Sequence, residues 1–265
     1  MYEKYWGINE LPFENVPDPR FMYYSPDHEE ALTRLVYATE GHKGAAMLTG
    51  EVGCGKTTLS RAFIKKISTE HHDICLIANP SLTPVDFLAE ILYQIGIENK
   101  SQSKTDLLHA LNDRMLKNVE NGRDTVIIVD EAQVIKEEEI LEELRLLLNF
   151  QLNDRFLLTL ILIGQPELKQ QIEKIKQLEQ RIAIKYHLTP LSLEETTKYI
   201  FFRLKKAGMT RNIFTKEAIE QVYNETNGVP RKINNLCDLS MLVGCTLQLK
   251  VIDSKTIKKV VEDRK

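Results

Sequence analysis

Residues Gly50 to Thr57 read GEVGCGKT, with an apolar run, Ala45 to Leu48, leading in and a helical pattern leading out. The pattern G-x-x-x-x-G-K-[ST] works only between a strand and a helix. Its loop must curl until successive N–H groups converge on an anion, and the following helix adds the positive end of its dipole. Glycines at positions 50, 53 and 55 permit that curl. In this reading Gly50, Glu51, Val52, Gly53, Cys54, Gly55, Lys56, Thr57 and Thr58 surround a nucleoside triphosphate; Lys56 reaches the β/γ-phosphates and the Thr57 hydroxyl ligates Mg2+. A glycine-rich turn before an ordinary helix is the bland alternative, and the strand and helix patterns around the loop weigh against it.

A phosphate loop requires more strands to form a sheet, and the chain supplies them. After a helix over Lys56–Thr69, Ile74–Ala78 reads as a buried strand. Thr83-Pro84 with Asp86 opens a second helix with cap, first-turn proline and capping-box carboxylate, and a third spans Thr105–Asn121. Short β-rich runs alternating with amphipathic helices call for a parallel sheet covered on both faces. Thr125–Glu131 (TVIIVDE) is a continuous apolar strand ending in two acids. Burial of that strand delivers both carboxylates to the edge of the sheet where open α/β folds bind ligands. Asp130 is then placed to hold the water shell of Mg2+, and Glu131 to polarise the water that attacks the γ-phosphate.

The strand Phe156–Ile163 ends at Gly164-Gln165, where the Gln165 amide meets either the γ-phosphate and its water or the start of the Pro166 helix. Between these two strands, KEEEILEELRLLLNF is an acidic amphipathic helix whose Glu137–Glu139 run reads as a solvated face. Arg181 precedes a short strand, Ile184–Leu188; it is a surface charge or, in an oligomer, a group that reaches a neighbour's γ-phosphate. From Ser192 onward the pattern is helical: Leu193–Ala207 with a Ser192/Glu195 capping box, Lys216–Thr226, Pro230 to about Leu247, and Ser254–Arg264. Arg231 lies in the first turn of the Pro230 helix, against the dipole preference, which suggests an anionic partner.

These patterns divide the chain into an N-terminal clasp and first helix (1–40), a phosphate-loop core (41–190) and a helical unit (191–265). Leu11–Tyr24 has too many prolines for a sheet interior and too many aromatics for a solvated linker, so it is expected to pack, either as a clasp or over a base. The formal charge of -3 gives no global attraction to nucleic acid or anionic lipid. Basic residues do gather near the C-terminus (Lys255, Lys258, Lys259, Arg264, Lys265), where they are ordinary dipole complements. The longest apolar runs fall far below the ~20 residues of a membrane span, and the N-terminus lacks the zones of a signal peptide, so a cytoplasmic address is expected. Cys54, Cys75, Cys237 and Cys245 match neither a zinc site nor a C-x-x-C pair.

GEVGCGKT, IIVDEAQ, LEELRLLLN, LIGQPEL, the QRI containing Arg181, YIFFRLKKAG, GVPRKIN and the opening YWGINELPF together resemble the ExeA-type (general secretion pathway protein A) AAA+ ATPases across essentially the whole chain. MSHA-biogenesis ATPases and TniB/TnsC-type transposition regulators share much of this pattern. The resemblance implies an α/β P-loop NTPase of the AAA+ class with a five-stranded parallel sheet and a small all-α lid, ATP and Mg2+ as cofactors, and homo-oligomerisation promoted by ATP. By it, Lys56 and Thr57 are the Walker A pair, and Asp130 and Glu131 are Walker B. Gln165 falls at sensor 1, Arg181 in the arginine-finger region, Arg231 at sensor 2 and Asn79 near the residue that restrains the catalytic glutamate. Full-length members of that family continue into a membrane span and a periplasmic peptidoglycan-binding domain, which these residues do not contain. The implied function is assembly of a secretion or pilus machine in the envelope; the alternative is a DNA-associated regulator of transposition, which the net charge disfavours.

Overall fold

The computed structural model describes residues 2–67, 70–98, 101 and 103–263. Along the chain the helices are α1 (Glu3–Trp6), α2 (Pro26–Glu40), α3 (Lys56–Lys66), α4 (Pro84–Gln94), α5 (Lys104–Glu120), α6 (Glu138–Leu147), α7 (Glu167–Lys174), α8 (Lys176–Arg181), α9 (Leu193–Lys206), α10 (Lys216–Thr226), α11 (Pro230–Thr246) and α12 (Ser254–Glu262). The strands are β1 (Ala45–Gly50), β2 (His72–Ile77), β3 (Asp124–Val129), β4 (Leu158–Gly164) and β5 (Ile182–Leu188). Two compact units emerge: one of residues 27–52 and 59–188, the other of residues 1–26, 53–58 and 189–265.

The first unit is built on a five-stranded, all-parallel sheet in the order β2-β3-β4-β1-β5. β1 and β4 are buried at every position, and β3 at every position but its first. Their unbroken apolar runs therefore mark sheet interior. β5 alternates exposed and half-buried residues between buried ends, as an edge strand does. It begins at Ile182, two residues earlier than the alternation suggested. β4 begins at Leu158, not Phe156, because Phe156 pairs with Gln151 in an isolated antiparallel bridge and packs its ring against Gly44. The helix after the phosphate loop closes at Lys66; Thr69, its expected end, lies outside the described residues, as do Arg264 and Lys265. The Glu137–Glu139 run is exposed, as read, but Glu143 on the same helix is buried and ion-paired with Lys104.

At the amino end of β2, Asp73 is 7% exposed and clamped by Arg114 (Nη2 to Oδ2 2.6 Å), Arg123 (Nη2 to Oδ1 2.5 Å) and Asn118 (Nδ2 to Oδ2 3.0 Å). Burial pushes this carboxyl up, but the hydrogen bonds from Asn118, Arg114 and Arg123 outweigh it and hold the group below the usual carboxylate range. A lowered folded-state value contributes stability that is full above the ordinary carboxylate range and is lost as pH falls below that range through the lowered value. Asp73→Ala leaves two guanidinium groups without their carboxylate and is expected to cost about 3 kcal/mol near neutrality. Urea unfolding at about pH 7 and about pH 3 should show the gap between variant and wild type shrinking in acid; an equal gap at both would refute the clamp.

In the second unit, α9 to α12 enclose an apolar core that includes Ile200, Leu204, Val222, Ile233, Met241 and Ile257. The expected caps are present: Ser192 and Glu195 form the capping box of α9, and Asn227 closes α10 in the left-handed conformation. Trp6, Phe13 and Phe21 from the first 26 residues are buried in the same core. Arg203, 7% exposed, fastens this segment by donating to Pro12 O (2.5 Å), Glu14 O (2.9 Å) and the Tyr199 hydroxyl (2.9 Å). So the proline- and aromatic-rich stretch does pack, and its partner is the helical core. Among the described residues no helix is long and apolar enough to cross a membrane.

Candidate functional site

In the sheet unit, β3 runs parallel to β4 with Val129 opposite Leu162, so whatever follows Val129 meets whatever follows Gly164. Asp130, 4% exposed, leaves the strand with its N–H on Ile77 O (2.9 Å) and its Oδ1 accepting from Glu131 N (2.9 Å). Glu131 then adopts the left-handed conformation (φ 52°) and opens a single helical turn, Ala132–Val134. A side-chain-bearing residue held there costs of order 1–3 kcal/mol, strain that tends to collect at functional sites. The turn brings Gln133 back onto its own acid: Gln133 Nε2 donates to Glu131 Oε2 at 2.6 Å. Gln165 Nε2 lies 3.5 Å from the same oxygen, and Gln165 N donates to Gln133 Oε1 at 3.0 Å. The structure therefore brings Asp130, Glu131 and Gln165 together and adds Gln133, which the sequence reading passed over. The signal for it was the last letter of DEAQ. Asn79, expected near the restraint on Glu131, accepts from Ser81 N (3.4 Å), while the donors to Glu131 are the two glutamines.

β1 lies on the other side of β4, with Thr49 opposite Gly164, so the chain leaves β1 through Gly50, Glu51 and Val52 beside the Gln165 end of β4. Gly50 is buried, whereas Glu51 and Val52 are exposed.

Gly53 to Thr58 group with the helical unit. Gly53 and Gly55 take φ values of 87° and 96°, left-handed backbone that favours glycine at both positions. Cys54 and Lys56 are buried at 1% and 5% exposure, and Lys56 opens α3. Arg231, in the first turn of α11, donates its backbone N–H to Gly53 O at 3.2 Å. A Cβ at position 53 would stand 2.7 Å from Arg231 Cβ and 3.2 Å from Val229 Cγ1, so only glycine fits between loop and helix. The structure thus joins Arg231 to the phosphate loop.

Arg181 is placed elsewhere. It ends α8 immediately before β5, and Ile182 pairs with Ala45 at the start of β1. That is the amino edge of the sheet, about 20 Å of strand away from the edge carrying Glu131 and Gln165. Its guanidinium donates to Leu148 O (2.7 Å) and Asn149 Oδ1 (2.6 Å), capping the carbonyl end of α6.

The chemistry of each group suits a magnesium-bound nucleotide. In the sheet unit Asp130 offers a hard oxygen donor; in the helical unit Thr57 offers another, and Gly53 and Gly55, both at positive φ, lead into the start of α3. Among the described residues no cluster of three or more His, Cys, Asp or Glu side chains could hold a metal by itself.

The family model for an AAA domain matches residues 39–172. General secretion pathway protein A of Aeromonas hydrophila is 41% identical over 245 residues, covering 91% of this chain and 44% of that protein. The chain thus spans less than half the length of that relative. Two solved structures share the fold: the Aeropyrum pernix ORC2 protein (ADPNP-ADP complexes), with a TM-score of 0.68, 18% identity and coverage of 96% of this chain and 71% of that one, and Drosophila ORC bound to DNA, with a TM-score of 0.73, 16% identity and coverage of 98% and 65%.

Proposed function

Because the chain belongs to the AAA-domain family of P-loop ATPases and is of the general secretion pathway protein A type, we propose that it hydrolyses ATP within a homo-oligomer whose assembly ATP promotes, and that it helps to build a secretion or pilus machine from the cytoplasmic side of the envelope. The observation that carries the hydrolytic part is the meeting of Glu131, Gln133 and Gln165 at the carboxyl ends of β3 and β4. The loop amides and Lys56 neutralise the β/γ-phosphates. Thr57 and Asp130 would hold Mg2+, which when bound would supply Lewis-acid stabilisation of phosphate charge. Glu131 accepts the proton of the attacking water, Gln165 orients that water, and Arg231 stabilises the developing charge.

Arg181 supports the oligomeric part. From the amino edge of the sheet it is remote from the acids of its own subunit, and in this reading it leaves its cap on α6 to complete a neighbour's site. Arg181→Ala is expected to bind ATP normally and to hydrolyse it ~10³-fold more slowly. Mixing it with Glu131→Gln subunits creates interfaces in which an intact Glu131 faces an intact Arg181. Phosphate release should therefore rise above the sum of the two variants, peaking near equal proportions. A strictly additive mixture would show that Arg181 does not act between subunits. ATP-dependent retardation of duplex DNA at low salt would move the cellular role from envelope assembly to transposition control.

A further inference from the structure

We propose that Gln133 is the positioning residue for Glu131, a side chain that sets which carboxylate oxygen meets the attacking water and ties that choice to the Gln165 end of β4. The inference rests on the hydrolytic reading above and deepens it.

Three independent observations carry it. First, Gln133 uses both ends of its amide: Nε2 donates to Glu131 Oε2 at 2.6 Å while Oε1 accepts from Gln165 N at 3.0 Å. An amide held at both ends cannot flip without breaking both bonds, so its donor is always presented to Glu131. Second, the backbone of Gln133 is itself fixed, because its carbonyl accepts from Gln171 Nε2 of α7 at 3.0 Å. Third, room has been left for the side chain: a Cβ on Gly164 would lie 2.7 Å from Gln133 Oε1. Any residue but glycine at the end of β4 would push the amide away.

The chemical consequence follows from the donor count. Oε2 of Glu131 is engaged by the amides of Gln133 and, at longer range, Gln165, so the lone pairs of Oε1 are left to take the proton from water. The left-handed backbone of Glu131 and the short turn after it hold the carboxylate within reach of Gln133. A shift at Gln165 N is transmitted through one rigid amide to the base. A misplacement of ~1 Å in such a group can cost ~10²-fold in rate.

The test compares Gln133→Glu with Gln133→Met. Gln133→Glu keeps the shape and an acceptor for Gln165 N, but replaces the donor toward Glu131 with a second carboxylate. If Gln133 only fills space, Gln133→Met, which is uncharged and of similar length, should behave as wild type. If it positions Glu131, kcat of Gln133→Glu falls ~10- to 100-fold with KM for ATP within about twofold of wild type, and Gln133→Met, which lacks both bonds, falls at least as far. A wild-type kcat in Gln133→Glu overturns the inference, and so does a raised KM with unchanged kcat. Thermal unfolding and ATP affinity of each variant verify that the fold and the nucleotide site survive. Glu131→Gln run alongside separates the two levels. Loss of turnover there with wild-type turnover in Gln133→Glu overturns only the positioning role; retained turnover in Glu131→Gln overturns the hydrolytic reading and this inference with it.

Discussion

Glu131→Gln should abolish phosphate release while leaving ATP affinity close to that of the wild type. The substitution is isosteric, and an amide oxygen at this position can still accept from Gln133 Nε2, so the turn Ala132–Val134 and the contact to Gln165 N have no reason to rearrange. What disappears is the proton acceptor. General-base catalysis contributes typically 10²–10⁴-fold, so steady-state turnover should fall by at least ~10². Since ATP binds but is not consumed, the ATP-bound assembly should accumulate. Size-exclusion chromatography in Mg-ATP is expected to show a larger species for this variant than for the wild type at the end of the run. Turnover within about threefold of wild type would remove Glu131 from the reaction.

Lys56→Ala should act one step earlier, on binding. Lys56 is 5% exposed at the start of α3, so its ammonium meets phosphate in a site with little water to screen it. Truncating one partner of a buried, hydrogen-bonded charge pair costs about 2–5 kcal/mol, which corresponds to a loss of at least ~30-fold in affinity. Calorimetric titration with Mg-ATP should show weak or undetectable binding, with circular dichroism verifying that the helices remain. Unchanged affinity would mean that GEVGCGKT is not a phosphate loop here. The two variants also differ in kind: one traps the nucleotide and the other never acquires it, so their assembly states in ATP should be opposite.

The parts of this arrangement that were legible in the sequence share a cause. Unbroken apolar runs such as Val126–Val129 announce a sheet interior wherever they occur, and an acid pair after such a run has only one edge on which to emerge. Caps are equally local: Ser192 and Glu195 satisfy each other three residues apart, whatever lies around them. The misses are long-range. Phe156 reads as strand by composition, yet the space beside Gly44 takes its ring out of the ladder. Gln133 was only the last letter of a quoted motif. Its meaning depends on Gln165, 32 positions away, and on a glycine that adjoins it only because β3 and β4 are neighbours. Glu143 follows the exposed Glu137–Glu139 run on the same helix, and its partner Lys104, 39 positions away, is not legible locally.

The bond from Arg231 N to Gly53 O has a geometrical corollary. A trans peptide group is a rigid plane whose carbonyl and N–H point in opposite directions. Gly53 O and the N–H of Cys54 belong to one such plane, so mooring the oxygen fixes the aim of the hydrogen. The first turn of α11 therefore acts as a sighting stop for an amide of the phosphate loop. A substitution that displaces that turn would misdirect the amide even with every residue of GEVGCGKT intact.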